Sequence, residues 1–129
     1  MKKYFLFLTI FALFFSSEAK ANQWVLSSTA SDGGMDMYLD PESLREFDGY
    51  IYVWKLLDFV EPLDDGTMSV KMYSKINCSS KMYQDLNIIF YPEDMAKGTP
   101  NYREYEPLDW VEATSGSIVG FLVESVCDL

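Results

Sequence analysis

Cys78 and Cys127 are the only cysteines in this 129-residue chain, and both follow an N-terminus built like an export signal. Lys2 and Lys3 give a positive start, Tyr4 to Phe15 is an almost unbroken apolar run, and Ser16 to Ala21 is small and polar, ending in Ala19-Lys20-Ala21. That ending is the A-x-A pattern at which signal peptidase cuts, so residues 1–21 are expected to be removed and 22–129 to remain as one domain. Export delivers the two thiols to an oxidising compartment, where they are expected to pair. A loop of 49 residues closed in this way stabilises a fold by about 4 kcal/mol in the chain-entropy model. For a domain of this size, that is a large share of total stability.

The apolar run of 12 residues is too short to span a bilayer, which takes about 20. No cysteine sits near the cleavage region to carry acyl chains, so no stable membrane anchor is expected after cleavage. Cleavage would remove three of the ten basic residues and one of the twenty acidic ones, leaving a net charge of about −12. Such a field repels nucleic acid and anionic lipid and favours basic partners or cations.

Short apolar stretches divided by turn signals give a β-rich pattern. Trp24-Val25-Leu26 opens a first strand, which Ser31-Asp32-Gly33-Gly34 ends. Met35 to Asp40 alternates Met35, Met37 and Leu39 against Asp36, Tyr38 and Asp40, the signature of a half-buried strand. Pro41 to Gly49 reads as a turn or a single helical turn, with Asp40 as cap and Pro41 at the first position. Tyr50 to Phe59 is the strongest strand, and Asp65-Gly66 marks a hairpin after it. In Met68 to Cys78, Met68, Val70, Met72, Ile76 and Cys78 fall on one face, while Ser69, Lys71, Tyr73, Lys75 and Asn77 fall on the other. Lys81 to Tyr91 follows as a strand with Ile88-Ile89-Phe90 as its core.

Pro92 to Pro100 is a polar loop, and Asn101 to Glu106 is a charged strand suited to a sheet edge. Pro107 to Gly116 reads as irregular, with Trp110 as a buried anchor. From Ser117 the period changes: Ile118, Phe121, Leu122, Ser125 and Val126 form one helical face, with Ser115 or Ser117 as N-cap. Gly120 weakens that helix, and Val119, Val123 and Val126 would also suit a strand. As a helix on the sheet, the tail brings Cys127 within reach of Cys78.

Catalysis has little to draw on, because the chain contains no histidine. That removes the commonest general base, His-containing zinc sites and Ser-His or Cys-His arrangements, and pairing the cysteines removes any thiolate. Glu104 and Glu106 share a strand face, where a solvated edge is the simpler role. Asp32-Gly33-Gly34-Met35-Asp36 and Asp64-Asp65-Gly66 offer hard oxygens beside glycines without EF-hand spacing, and turns account for them. No metal or cofactor is expected. Met35, Met37, Met68 and Met72 are read as core filling in preference to a haem-type pocket.

Binding is the class that remains. Lys71, Lys75 and Lys81 with Tyr73 and Tyr83 form the one basic-aromatic stretch, and Lys71, Tyr73 and Lys75 share the outer face of one strand. Charge and flat apolar area together suit an acidic segment or a polysaccharide. The alternative is a soluble periplasmic protein whose acidic loops bind or inhibit a cationic envelope-targeting protein.

Trp24, the segment Leu39-Asp40-Pro41-Glu42-Ser43-Leu44, Val53-Trp54-Lys55-Leu56-Leu57-Asp58, Ser69 and Cys78 resemble the surface-adhesin protein E family of bacterial exported proteins. Leu86, Tyr91, Gly98, Trp110, Gly116-Ser117 and Val126-Cys127 follow in matching order, so the resemblance spans essentially the whole mature chain. It implies an α+β fold: a single antiparallel sheet of about six strands, with a C-terminal helix packed on one face and tethered by the disulfide. The family takes its name from a lipid-anchored surface protein that binds host extracellular-matrix components, which this chain departs from in lacking an anchoring cysteine. Taken with the residues, the expected function is that of an exported non-enzymatic binding domain resembling this family, mediating adhesion to extracellular or host-matrix ligands, with a protein or polysaccharide as ligand and the periplasm or the cell exterior as location.

Overall fold

A computed structural model describes residues 23–128, so the export signal read over residues 1–21 lies outside the described residues. The strands are β1 (Val25–Thr29), β2 (Met35–Leu39), β3 (Arg45–Phe47), β4 (Tyr50–Phe59), β5 (Ser69–Asn77), β6 (Met82–Tyr91), β7 (Tyr102–Glu104) and β8 (Val111–Glu112), followed by helix α1 (Ile118–Cys127). They form one antiparallel sheet in the order β1-β2-β4-β5-β6-β7, with β3 added beside β4 and β8 beside β6. The expected α+β architecture is the one found.

β4 and β5 are the centre of the sheet, paired from Ile51↔Ile76 to Asp58↔Ser69. The loop between them holds a tight turn in which the Gly66 N–H donates to the Leu63 carbonyl at 2.8 Å. After β2, Asp40 caps a single 3₁₀ turn over Pro41–Ser43 by accepting from the Glu42 N–H at 3.1 Å, as the Asp-Pro pair implies. The sequence reading missed the strand that follows. Asp48 and Gly49 both take positive φ, 53° and 82°, which is the two-residue turn whose twist matches a hairpin, and it folds β3 back onto the start of β4.

The inner face of the sheet carries the helix. Met37, Val53, Ile76 and Ala113 pack with Leu122, Val123 and Val126 into the core. Met37 and Met72 are buried, as core filling requires. The helix presents Gly120, Leu122, Val123 and Val126 inward, whereas Phe121, read as part of the buried stripe, is 51% exposed. Gly120 explains the rotation: a Cβ there would collide with the Thr114 backbone carbonyl, so the helix approaches its preceding loop at the one position without a side chain. Ser117 is the N-cap, accepting from the Gly120 N–H at 3.0 Å. The Ser28 hydroxyl donates to the Ile118 carbonyl and ties the helix start to β1. Cys127, in the last turn, is bonded to Cys78 just past β5, with Cα atoms 5.7 Å apart.

β6 contains a bulge. Tyr73 faces Asn87 but Ser74 faces Asp85, so Leu86 is an extra residue and the side chains on either side of it change faces. Asp85 therefore points to the inner face, while Ile89, 4% exposed, is buried on the outer one. Of the expected β6 core, Ile88 and Phe90 are only half-buried. The segment read as irregular contains β8, and Trp110 is an exposed residue rather than a buried anchor: its ring meets Tyr50 on the sheet surface.

Candidate binding face

Strand alternation sends Tyr50, Tyr52, Trp54, Leu56 and Asp58 of β4 to the face opposite the helix, together with Ser69, Lys71, Tyr73 and Lys75 of β5. One end of this outer face is covered. The segment 93–96 crosses it, held by the Ser69 hydroxyl donating to the Glu93 carbonyl (2.6 Å), the Ala96 N–H donating to Ser69 Oγ (2.9 Å) and the Met95 N–H donating to Asp58 Oδ1 (2.9 Å). Met95 and Ala96 take left-handed backbone conformations there, φ 53° and 57°, which non-glycine residues adopt only when their surroundings impose it.

Beyond that cover lies a strip of rings and ammonium groups. Trp54 and Tyr73, opposite each other on β4 and β5, have ring centroids 5.0 Å apart, and Tyr52 stacks on Tyr73 at 6.0 Å. Tyr50 meets Trp110 at 5.9 Å. The Lys71 Nζ lies 4.8 Å from the Trp54 ring centre; the Lys75 Nζ lies 4.2 Å from that of Tyr50 and 5.8 Å from that of Trp110. These are cation–π distances; the rings of Tyr50, Tyr52, Trp54 and Tyr73 are half-buried, while that of Trp110 is exposed. Arg45, opposite Tyr52, and Arg103, opposite Ile89, add exposed guanidinium groups to the same face. Burial depresses the Lys71 ammonium pKa, the Arg103 charge depresses it further, and Asp40 opposes both. In an acidic chain, four of the seven described basic residues thus share one face.

The structure brings Lys71, Tyr73 and Lys75 together and separates Lys81 and Tyr83 from them. Lys81 lies in the turn between β5 and β6, with φ 55°. Tyr83 faces inward, its ring 4.1 Å below the ammonium of Lys55. Lys55 itself is 2% exposed, an ion pair with Asp85 (3.1 Å), whose carboxylate also accepts from the Ser74 hydroxyl at 2.6 Å. Burial lowers the Lys55 pKa and Asp85 opposes that shift. Sequence reasoning missed Tyr50, Tyr52 and Trp54 as members of the strip. The signal was present in their alternation along β4, once the hairpin to β5 set the register.

The acidic turns spend their oxygens locally. Asp32 Oδ1 accepts from the Gly34 N–H (2.8 Å) and Asp65 Oδ1 from the Thr67 N–H (2.9 Å). Among the described residues, no three acidic or thiol side chains converge as a metal site. An open apolar cavity of about 440 Å³ lies between Leu39, Pro41, Leu44, Ser125 and Val126, away from the strip.

The family model for surface-adhesin protein E matches residues 24–128. Among solved structures, crystal form II of Haemophilus influenzae protein E superposes with a TM-score of 0.61 at 14% identity, covering 86% of this chain and 91% of that one. Another structure of Haemophilus influenzae protein E gives 0.60 at 15% identity, with 86% and 87% covered. Protein E from non-typeable Haemophilus influenzae gives 0.53 at 15%, with 85% and 86% covered. No curated protein sequence matches the chain. At these identities the superpositions speak for the fold, and the family rests on the matching model.

Proposed function

The chain belongs to the surface-adhesin protein E family, and from that membership we propose that it is an exported, non-enzymatic binding domain whose outer sheet face meets an extracellular or host-matrix ligand. The observation that carries this reading is the strip of Tyr50, Tyr52, Trp54, Tyr73 and Trp110 interleaved with Lys71 and Lys75, on the face that the helix leaves open. Aromatic and cationic groups of limited mobility supply contact area at low entropic cost, which is what a recognition surface needs. No helix among the described residues is long and apolar enough to cross a membrane.

The test is retention of the purified protein on a cell-derived extracellular matrix. Wild type binds saturably; a Trp54→Ala/Tyr73→Ala variant, verified as folded by its melting curve, loses binding, and the inner-side control Phe121→Ala keeps it. Equal retention of all three would defeat the reading. The acidic surplus of the chain, formally −10, supports a second reading, a periplasmic protein steered onto a cationic envelope-targeting partner. That partner would be captured from a periplasmic extract in a strongly salt-dependent way, and protease shaving of intact cells would leave the protein protected.

A further inference from the structure

We infer that the occupant of the outer strip is an acidic polysaccharide, a chain of carboxylated or sulfated sugars lying across β4 and β5; this rests on the reading of that face as the binding surface. Three observations point to it. First, the cations are spread across the face. Lys71 and Lys75 are four residues apart on one strand, about 13 Å at a rise near 3.3 Å per residue, and Arg103 and Arg45 flank them across the sheet on either side. A repeating polyanion presents charges at intervals of that order, whereas a single small anion needs only one such centre.

Second, polar groups lie between the cations. Among the described residues, the side-chain hydrogen bonds of the sheet do not draw on the phenol oxygens of Tyr50, Tyr52 and Tyr73 or the indole N–H groups of Trp54 and Trp110, whereas the Lys71 ammonium already has a partner within the chain. Phenols both donate and accept and indoles donate, so the strip matches the hydroxyl-rich edge of a sugar ring, while Lys75 answers its carboxylate or sulfate and Lys71, beside Asp40, adds charge to the field around it.

Third, the surface is a sheet face rather than a groove or an edge. Bound peptides draw affinity from backbone hydrogen bonds at a strand edge or from anchors set in pockets. The cavities found at Pro62–Asp65, at Leu39 and Val126, and between Asp32 and Leu63 all lie off this strip. A row of rings and ammonium groups on a sheet face, away from those three cavities, suits an extended saccharide.

The experiment is binding of the purified full-length mature protein to heparin (sulfated) and hyaluronate (carboxylated), with dextran as neutral control, followed by calorimetry or retention on the immobilised glycan. Saturable binding to at least one acidic glycan and none to dextran is expected, weakening as salt rises. Lys71→Gln and Lys75→Gln together should weaken it roughly tenfold or more, and the off-strip variant Lys81→Gln should leave it within about twofold. No binding to either acidic glycan, equal binding to dextran, or equal loss in Lys81→Gln would overturn the inference. If the glycans fail while matrix retention still depends on Trp54 and Tyr73, the face binds a protein and only the glycan assignment falls. If matrix retention fails as well, the face itself is misassigned.

Discussion

Replacing Asp85 with asparagine should be the most damaging isosteric change in the inner face of the sheet. Lys55 is 2% exposed, and its ammonium has two partners facing it: the Asp85 carboxylate at 3.1 Å and the Tyr83 ring at 4.1 Å. The substitution keeps shape and a hydrogen-bonding group but leaves a buried cation whose countercharge is gone. Breaking a buried pair from one side costs about 3–5 kcal/mol. Stability of a domain this size is about 5–15 kcal/mol, and near the midpoint each kcal/mol moves the melting temperature by roughly 4–5 °C, so a drop of roughly 12–25 °C is expected.

Lys55→Met removes the cation and its desolvation cost. Asp85 then keeps the Ser74 hydroxyl at 2.6 Å and some solvent contact, being 12% exposed, so the loss should be smaller, about 1–3 kcal/mol. Combining Lys55→Met with Asp85→Asn should recover much of the Asp85→Asn loss, giving a coupling of at least about 1 kcal/mol. The assay is a double-mutant cycle by urea and thermal unfolding followed by circular dichroism. An Asp85→Asn variant within about 1 kcal/mol of wild type, or additive single effects, would refute the reasoning.

Three further outcomes follow from the same structure. Because burial lowers the Lys55 pKa in the folded state, the unfolded chain holds more protons between that lowered pKa and the ordinary lysine value near 10.4; stability should therefore rise with pH as the ordinary lysine value is approached from below, and the rise should shrink in Lys55→Met, as read by melting over a pH series. Lys71 contributes in the same direction, and the tyrosines whose pKa burial raises oppose it only above about pH 10. Cys78→Ser/Cys127→Ser should lose about 4 kcal/mol, and addition of reductant should bring wild type toward the variant; unchanged melting in both experiments would contradict the closure argument. Gly120→Ala, which on an ordinary helix would stabilise, should here cost about 1–3 kcal/mol because its methyl meets the Thr114 carbonyl, and a stabilised variant in chemical denaturation would show that the loop gives way.

What could be read from the chain was set by local chemistry. The β-branched and aromatic density of Tyr50 to Phe59, the alternation of β5, the Asp40-Pro41 turn and the Ser117 cap depend on neighbours a few residues away, and each is present as expected. The cysteine pair was legible because an expected export signal and a count of two leave each cysteine one partner. The Asp48-Gly49 turn was equally local but was absorbed into a longer loop, so β3 was missed. Other features depend on distant residues. The Leu86 bulge puts Asp85 beneath Lys55, and no pattern in either strand alone announces that meeting. The rotation of the helix is dictated by the Thr114 carbonyl, and Trp110 rests on Tyr50 across the sheet surface. For the binding strip, β5 revealed Lys71, Tyr73 and Lys75, while its other half on β4 became visible only through register.

Whether recognition occurs on the outer face of β4 and β5 can be read from amine footprinting of the protein bound to cell-derived matrix. Acylation of lysines is quantified by mass spectrometry with and without matrix, Lys55 serving as the buried reference and Lys81 as the exposed residue off the strip. Matrix is expected to protect Lys71 and Lys75 and to leave Lys81 as reactive as before. Protection of Lys81 with unchanged labelling at Lys71 and Lys75 would contradict that expectation and move the binding surface to the turn after β5.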